Sequence, residues 1–341
     1  MNHQIQIEFS DGERTLIDAR GGQTILQSAT TAGVRLAYDC KQGQCQTCKL
    51  QLRLGSVHYA NREKLTLTAG QEAEGAVLPC QGMADRHLQL VAPYTRASLL
   101  PVKQKTVEVV SVQEAGPCAI TVTCRLGAHS KFEHLAGQYV RVGVAGSSEE
   151  RSYSMTTSTA DWPEMAFLVR LIPGGTMSSR LAQLEPGSKL TVRGPYGSFY
   201  LRDGDAPLIW VAGGTGLAPF LAMLSALRHA GRINREIILC FGANAATDLC
   251  WPAGMKELLQ EFPRLSLRMS LTQPPEGWTG VTGTVVDALA LEDLAGLASL
   301  GARAYLCGPP SMVAAARILL AERGFVPGDV FNEDFLPSLQ S

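Results

Sequence analysis

The alternation of apolar and polar positions changes character along the chain, and each change marks a different kind of structure. Ile5, Ile7 and Phe9 alternate with polar residues, Asp11-Gly12 supplies a turn, and Leu16-Ile17 begin a second run, the pattern of a β-hairpin. Thr24 to Ala32 reads as a helix ended by Gly33, and Leu50, Leu52 and Leu54 alternate again before Gly55. A short sheet with one packed helix is predicted. It ends near Ala92, and the stretch Pro93 to Pro101 serves as a linker, giving a first domain over 1–95. Beyond it, short β-runs are broken by glycine and proline: Val107 to Val110, Ile120 to Cys124, Tyr139 to Val144, Ala166 to Leu171 and Lys189 to Val192. These fit an antiparallel β-barrel over 102–203. From residue 204 to 341 the apolar strands Leu208 to Ala212, Glu236 to Phe241, Leu265 to Leu271 and Ala302 to Cys307 alternate with helices. The helices fall near Leu217 to His229, Ala253 to Glu261 and Ser311 to Arg323, so this part reads as an α/β parallel-sheet domain.

Length and charge narrow the picture. A chain of 341 residues exceeds one ordinary core, which suits a multidomain reading. Hydrophobic residues make up 45%, charged residues 18%, and the formal net charge is -1, so no basic excess points to nucleic acid or an anionic membrane. Ala206 to Leu227 carries no charge and has the length of a membrane span, but Gly213, Gly214, Gly216 and Pro219 divide it into a buried strand, a turn and a buried helix. The opening MNHQIQIEF alternates like a strand rather than a signal peptide, and free thiols in a reducing cytoplasm are expected.

The cysteines bring in chemistry. Cys40, Cys45 and Cys48 have C-x4-C-x2-C spacing, and Cys80 lies far downstream, the spacing of plant-type 2Fe-2S proteins. Each of two irons bridged by sulfides takes two further soft ligands from protein to complete its tetrahedron. Gly43 and small or polar neighbours suit a loop that wraps closely and aims backbone N–H groups at sulfur. A structural zinc is the alternative, but zinc ribbons place two close pairs of ligands. A disulfide framework fits worse, with nine cysteines in all.

Other short stretches carry weaker signals. In Arg151-Ser152-Tyr153-Ser154 an arginine can neutralise a pyrophosphate, while an aromatic and a hydroxyl can hold an isoalloxazine; the plain alternative is a strand with a surface arginine. Gly175-Thr176-Met177-Ser178 opens a helix whose N–H groups suit phosphate, although Met177 is by default core filling. Gly213-Gly214-Thr215-Gly216 with Pro219 departs from the G-x-G-x-x-G fingerprint but offers the same close approach at a strand end. Cys307-Gly308 ends another strand at the sheet edge where α/β folds bind ligands, and a buried packing thiol is the ordinary reading of Cys307.

Taken in order, the cysteine loop, RSYS, PGGTMS, GPYGSFY, GGTGLAP and CGPP resemble the reductase components of multicomponent aromatic-ring-hydroxylating dioxygenases over nearly the whole chain. Such proteins resemble a β-grasp ferredoxin fused to a ferredoxin-NADP reductase, as in benzoate dioxygenase reductase. The resemblance implies FAD held by Arg151, Tyr153 and Ser154, with Gly175, Thr176, Met177 and Ser178 on its pyrophosphate. Gly213 to Gly216, Pro219, Cys307 and Gly308 would frame the nicotinamide dinucleotide. Phe335 would cover the flavin with Glu333 nearby, although six residues follow Phe335 where the reductase pattern ends at its aromatic. Family members carry a small residue after the second cysteine, where this chain has Gln46, so altered hydrogen bonding or exposure is expected there. The segment Phe241 to Asp248 has no cation and includes Asp248, which favours NADH.

The implied reaction passes electrons from NADH to FAD to the 2Fe-2S cluster, with Ser154, Cys307 and Glu333 as catalytic candidates. The acceptor is then a terminal oxygenase component, Rieske in type, or an intermediary ferredoxin. Service to a diiron monooxygenase is the nearest alternative, and a redox sensor a more distant one. A self-contained oxygenase lacks support, because none of the six histidines forms a close pair with a carboxylate that suggests a two-histidine iron site, and no spare domain remains to host a substrate pocket.

Overall fold

The computed structural model describes residues 3–147 and 149–335. The chain divides into two compact units, one built on the segment up to Pro101 together with Tyr196–Ser198, the other on Val102–Pro195 and the segment from Phe199 onward.

In the first unit the hairpin His3–Glu8 and Arg14–Ala19 pairs in register from His3 with Ala19 to Glu8 with Arg14. His3–Glu8 then runs parallel to Leu88–Val91, which lies antiparallel to Leu50–Leu54, with Ala76–Val77 at the far edge. Ile5, Ile7, Leu88 and Leu90 point to one face and are almost wholly buried, as a half-buried sheet with period two requires. The helix Ile25–Thr31 covers that sheet with Ile25, Leu26 and Ala29. Its start is fixed locally: Thr24 accepts from the Gln27 N–H, and Gln27 returns a bond to the Thr24 backbone. A second box of this kind, Thr68 with Gln71, starts the short helix Ala69–Ala73, too brief to show a helical period in sequence. This is the β-grasp expected from the pattern.

The second unit begins with a six-stranded antiparallel sheet in the order Glu150–Ser154, Tyr139–Val144, Lys189–Tyr196, Lys103–Glu114, Ala119–Arg125 and Glu164–Arg170. A single bridge from Met155 to Phe167 brings the two ends of the sheet together. Val107, Val122, Val140, Val142, Phe167 and Val192 fill the interior, so the curled sheet is a packed barrel. Thr176–Ala182 is a helix beside it, and Met177 and Leu181 enter the same core.

The remaining sheet is wholly parallel, in the order Val281–Thr282, Leu265–Gln273, Ile237–Ala245, Leu208–Gly213, Arg303–Gly308 and Val330–Asp334. Along Leu208–Gly213, residues Leu208, Trp210 and Ala212 enter one core while Ile209 and Val211 enter another. Both faces are covered, which is why its strands read as continuous apolar runs. The helix Ala218–His229 packs Phe220 on Trp210 with ring centroids 5.3 Å apart. Truncating Phe220 to alanine would cost about 3–5 kcal/mol. The uncharged stretch is thus strand, turn and core helix, and among the described residues no helix is long and apolar enough to cross a membrane. The final strand Val330–Asp334 was not evident as a strand; its polar Asn332, Glu333 and Asp334 obscure the apolar alternation. Residues 336–341, the rest of the tail expected after Phe335, lie outside the described residues.

Candidate functional site

From Tyr38 to Lys49 the chain forms bends rather than regular structure. Lys41 and Gln46 adopt left-handed backbone at φ 57° and 55°, an uncommon conformation for residues with a side chain. Gly43 is left-handed too, and a Cβ there would stand 2.3 Å from the Leu65 side chain. The curl folds the thiols into two couples. The Cys40 N–H lies 3.5 Å from Cys45 Sγ, and the Cys45 N–H and Gln42 N–H lie 3.4 and 3.3 Å from Cys40 Sγ. Cys48 and Cys80 are close enough to act on one another, Cys80 raising Cys48 and Cys48 lowering Cys80. The hydrogen bond from Cys45 is the main influence that pulls Cys40 down to about 5, while Cys45 itself is raised. Two couples match two tetrahedral irons, each taking two thiolates, so this donor set fits a 2Fe-2S group. Among the described residues no three His, Cys, Asp or Glu side chains gather to hold a metal ion. Cys48 and Cys80 are buried, whereas Cys40 and Cys45 keep part of their surface in solvent.

Gln46 does not simply face outward. Its Nε2 donates to the Thr66 carbonyl at 3.0 Å, and its Oε1 accepts from Gln71 Nε2 at 3.1 Å. A small residue there would leave the loop without this tie to the segment preceding Cys80.

In the second unit the strands Leu208–Gly213 and Arg303–Gly308 are neighbours, and the chain proceeds outward from Leu208–Gly213 to Ile237–Ala245 on its other side. Their carboxyl ends therefore form the switch point where open α/β sheets take ligands. Two glycine turns meet there at van der Waals contact. A Cβ on Gly216 would lie 2.2 Å from the Cys307 carbonyl oxygen, and one on Gly308, at φ 156°, would lie 2.8 Å from the Met312 side chain. Gly213, Gly214 and Thr215 lead into the helix Ala218–His229, which starts with Pro219 in its first turn. The surface so made is largely glycine backbone, which fits a pyrophosphate.

At this edge residues far apart in sequence converge. Ser154 Oγ donates to Glu333 Oε2 at 3.1 Å, and Glu333 is the register partner of Cys307 on the adjacent strand. Burial pushes the Glu333 carboxyl up to about 8; the charge of Asp334 adds to the rise, and the Ser154 hydrogen bond opposes it. Burial likewise raises Cys307 well above the usual thiol range, so it stands as a neutral thiol rather than a nucleophile. Phe335 donates its N–H to the Gly308 carbonyl at 2.9 Å and packs against the core that contains Cys307 and Tyr305.

The residues expected at a flavin fall on the barrel edge. Arg151 lies 3.7 Å from Glu149 and donates to the Glu150 carbonyl. Tyr153 packs on Phe167 at 6.4 Å, and burial raises its phenol to about 12. Gly175 leads into the helix Thr176–Ala182 with no side-chain cap on its first N–H groups. Met177 is core filling, and Ser178 Oγ serves its own turn, accepting from Ile172 N and donating to the Gly175 carbonyl. Backbone N–H groups, not these side chains, are what the turn offers a phosphate.

Asp248 carries a surprise. Its Oδ1 accepts from Arg170 Nη2 at 3.0 Å, a cation delivered from the strand Glu164–Arg170 of the barrel. The cation missing from the local segment is supplied across space, and nothing in the pattern around Asp248 signals it.

The donor set and folds together define an electron-transfer oxidoreductase with iron–sulfur, flavin and nicotinamide domains. Three domain families match: a 2Fe-2S iron-sulfur cluster binding domain over residues 8–85, an oxidoreductase FAD-binding domain over 107–200 and an oxidoreductase NAD-binding domain over 210–317. The chain is 31% identical to the toluate 1,2-dioxygenase electron transfer component of Pseudomonas putida, over 99% of this chain and 100% of that one. It is 34% identical to the xylene/toluene monooxygenase electron transfer component of Pseudomonas putida, covering 92% and 89%. A crystal structure of an Amycolatopsis cytochrome P450 reductase superposes with a TM-score of 0.68 at 29% identity, covering 98% and 99%. The chain belongs to the family of fused 2Fe-2S flavoprotein reductases that serve as electron transfer components of oxygenases.

Proposed function

We propose that this protein takes electrons from NADH and delivers them, through FAD and the 2Fe-2S group, to the terminal oxygenase component of an aromatic-ring-hydroxylating dioxygenase in the cytoplasm. The observation that carries the reading is the hydrogen bond from Ser154 to Glu333, beside Cys307, at the switch point of a chain that also folds its four cluster thiols into couples. The cofactors, when bound, supply the conversion of a two-electron donor into single-electron delivery.

The chain's own groups then have defined work. Arg151 and the uncapped N–H groups at Gly175, Thr176, Met177 and Ser178 bind the flavin pyrophosphate. Tyr153 and Phe335 pack against the ring system. Gly213, Gly214, Thr215, Gly216, Pro219 and Gly308 let the dinucleotide approach the backbone, and Asp248 with Arg170 addresses its adenosine ribose. Ser154 orients the reacting groups, Glu333 holds its proton at neutral pH, and neutral Cys307 excludes water. Boundaries at 1–95, 102–203 and 204–341 assign one cofactor to each domain. Half-buried Cys40 and Cys45 mark the side from which electrons leave.

Relatives that serve propane and xylene/toluene monooxygenases support a second reading, delivery to a monooxygenase component or to a separate ferredoxin. Titration of the reduced protein with purified oxygenase components separates the two. The dioxygenase component is expected to accelerate NADH consumption in step with product formation. Acceleration by a monooxygenase component alone would replace the first reading with the second.

A further inference from the structure

Five cysteines lie outside the cluster set, and Cys118 alone among them keeps exposed surface; Cys124, Cys240, Cys250 and Cys307 are buried. Cys118 sits in the turn between Lys103–Glu114 and Ala119–Arg125, and Cys250 follows the short helical turn Ala246–Asp248. These turns belong to the barrel and the nucleotide sheet, yet their backbones are laced together. Trp251 N donates to the Ala115 carbonyl at 2.8 Å, and a Cβ on Gly116 would lie 2.5 Å from the Leu249 carbonyl oxygen and 3.9 Å from Cys250 Cα. The Cys118 and Cys250 thiols lie near enough to influence one another, and Cys118 adds to the rise in Cys250 that burial begins. Cys250 also points its S–H at the Asp248 carbonyl, 3.8 Å away.

We propose that Cys118 and Cys250 are a redox-sensitive pair that closes to a disulfide under peroxide and, by tethering the loop that carries Asp248, weakens binding of the nicotinamide dinucleotide. The second half rests on the reading of Asp248 as ribose-facing; the first half does not. Neighbouring thiols on turns whose backbones are tied together can reach the S–S bond length of about 2 Å without parting those turns. The half-buried Cys118 meets the oxidant first. Its sulfur attacks hydrogen peroxide, taking one hydroxyl as a sulfenic acid while the other oxygen leaves as water. The Cys250 sulfur then attacks the Cys118 sulfur, and the hydroxyl departs with the Cys250 proton as a second water. The electron pair lost by the two sulfurs ends on the peroxide oxygens. Burial pushes Cys250 up to about 12, so it is not the thiol that meets peroxide first, and its place beside Cys118 is what carries the second step. Closure takes the S–H away from the Asp248 carbonyl and anchors the turn Ala246–Asp248 to the barrel.

The test treats purified holoprotein with hydrogen peroxide, blocks remaining thiols, and digests without reductant. A peptide cross-linked through Cys118 and Cys250 is expected, lost on adding dithiothreitol and absent from Cys118→Ser and Cys250→Ala. Full alkylation of both cysteines after treatment would overturn the pair. Stopped-flow reduction of the bound flavin by NADH reads the second half, with cluster and flavin absorbance checked for loss. The NADH concentration giving half-maximal rate is expected to rise about fivefold or more on oxidation, reversibly, and not in Cys118→Ser. A cross-link without that rise overturns the coupling. If Asp248→Ala also leaves the half-maximal concentration unchanged, the placement of Asp248 is what fails, and the disulfide stands.

Discussion

The cysteine loop and the nucleotide crevice solve the same problem, holding a redox group, by opposite means. In the loop, three of four donors come from one short curl, and the backbone between them supplies the conformation: left-handed Lys41, Gly43 and Gln46 turn the thiols inward. In the crevice no segment holds anything alone. Ser154, Cys307 and Glu333 arrive on strands from two sheets, and the glycines there answer first to one another's backbone. A local site is written in spacing, whereas a site assembled from distant strands is written in topology. The first tolerates change around it and fails when a ligand goes; the second degrades by degrees.

Loss of a cluster ligand should therefore have the largest effect. In Cys45→Ser, reduction of flavin by NADH is expected to continue at the wild-type rate, while delivery to a one-electron protein acceptor falls by more than the roughly hundredfold that even an outer-shell change at a metal site causes. Stopped-flow absorbance of the flavin beside steady-state acceptor reduction makes the comparison. Undiminished delivery would detach the loop from the electron path.

The crevice should respond next to Gly216→Ala. Its new Cβ would stand 2.2 Å from the Cys307 carbonyl, a backbone atom that cannot swing aside. Overpacking of this kind costs about 1–3 kcal/mol, and parting the two turns should weaken nucleotide binding as well. Gly328→Ala is the control, because nothing lies within 4 Å of its added methyl. Equal melting temperatures and equal NADH affinity for the two variants would show that the turns are not held by contact.

How much of this was legible follows the same division. Cys40, Cys45, Cys48 and Cys80 could be read because ligand spacing survives as spacing. The β-grasp, barrel and parallel sheet were visible because half-buried and fully buried strands leave different apolar periods. The last strand escaped, since Asn332, Glu333 and Asp334 break the pattern while still pairing beside Arg303–Gly308. Gln46 read as an oddity of composition, and only the fold shows its amide bound to Thr66 and Gln71. Arg170 at Asp248 was beyond reach, because the argument from a missing cation looked along the chain and the cation comes from another sheet. The Ser154 hydroxyl and the Glu333 carboxyl are 179 positions apart, so no local motif contains both.

A smaller effect is expected at that pair. Ser154→Ala removes the donor to Glu333 with little loss of bulk, and a hydrogen bond between neutral groups contributes about 1 kcal/mol, roughly fivefold in rate if it is fully expressed in positioning. Flavin reduction should slow by that order at saturating NADH, with transfer from reduced cluster to acceptor unchanged. An equal slowing of both steps would mark a general loss of structure instead.

The mildest test uses pH and bears on which side of the comparison stores electrostatic strain. Glu333 has its carboxyl raised from 4.5 to about 8, chiefly by burial, so the folded chain keeps a proton that the unfolded chain releases near 4.5. The folded state thus binds more protons between those values, and linkage makes its stability fall as pH rises through that window. Below about 4.5 both states are protonated and the contribution is complete; above about 8 both are ionised and it is lost. Glu333→Gln keeps the shape and carries no titrating proton. Melting temperatures measured from pH 4.5 to 9 should decline more steeply in the wild type than in Glu333→Gln, and the two curves should run parallel outside the window. A cost of this sort arises where a carboxyl is desolvated by strands brought together from elsewhere. Parallel curves throughout would mean that Glu333 is hydrated in solution and that burial does not hold its proton.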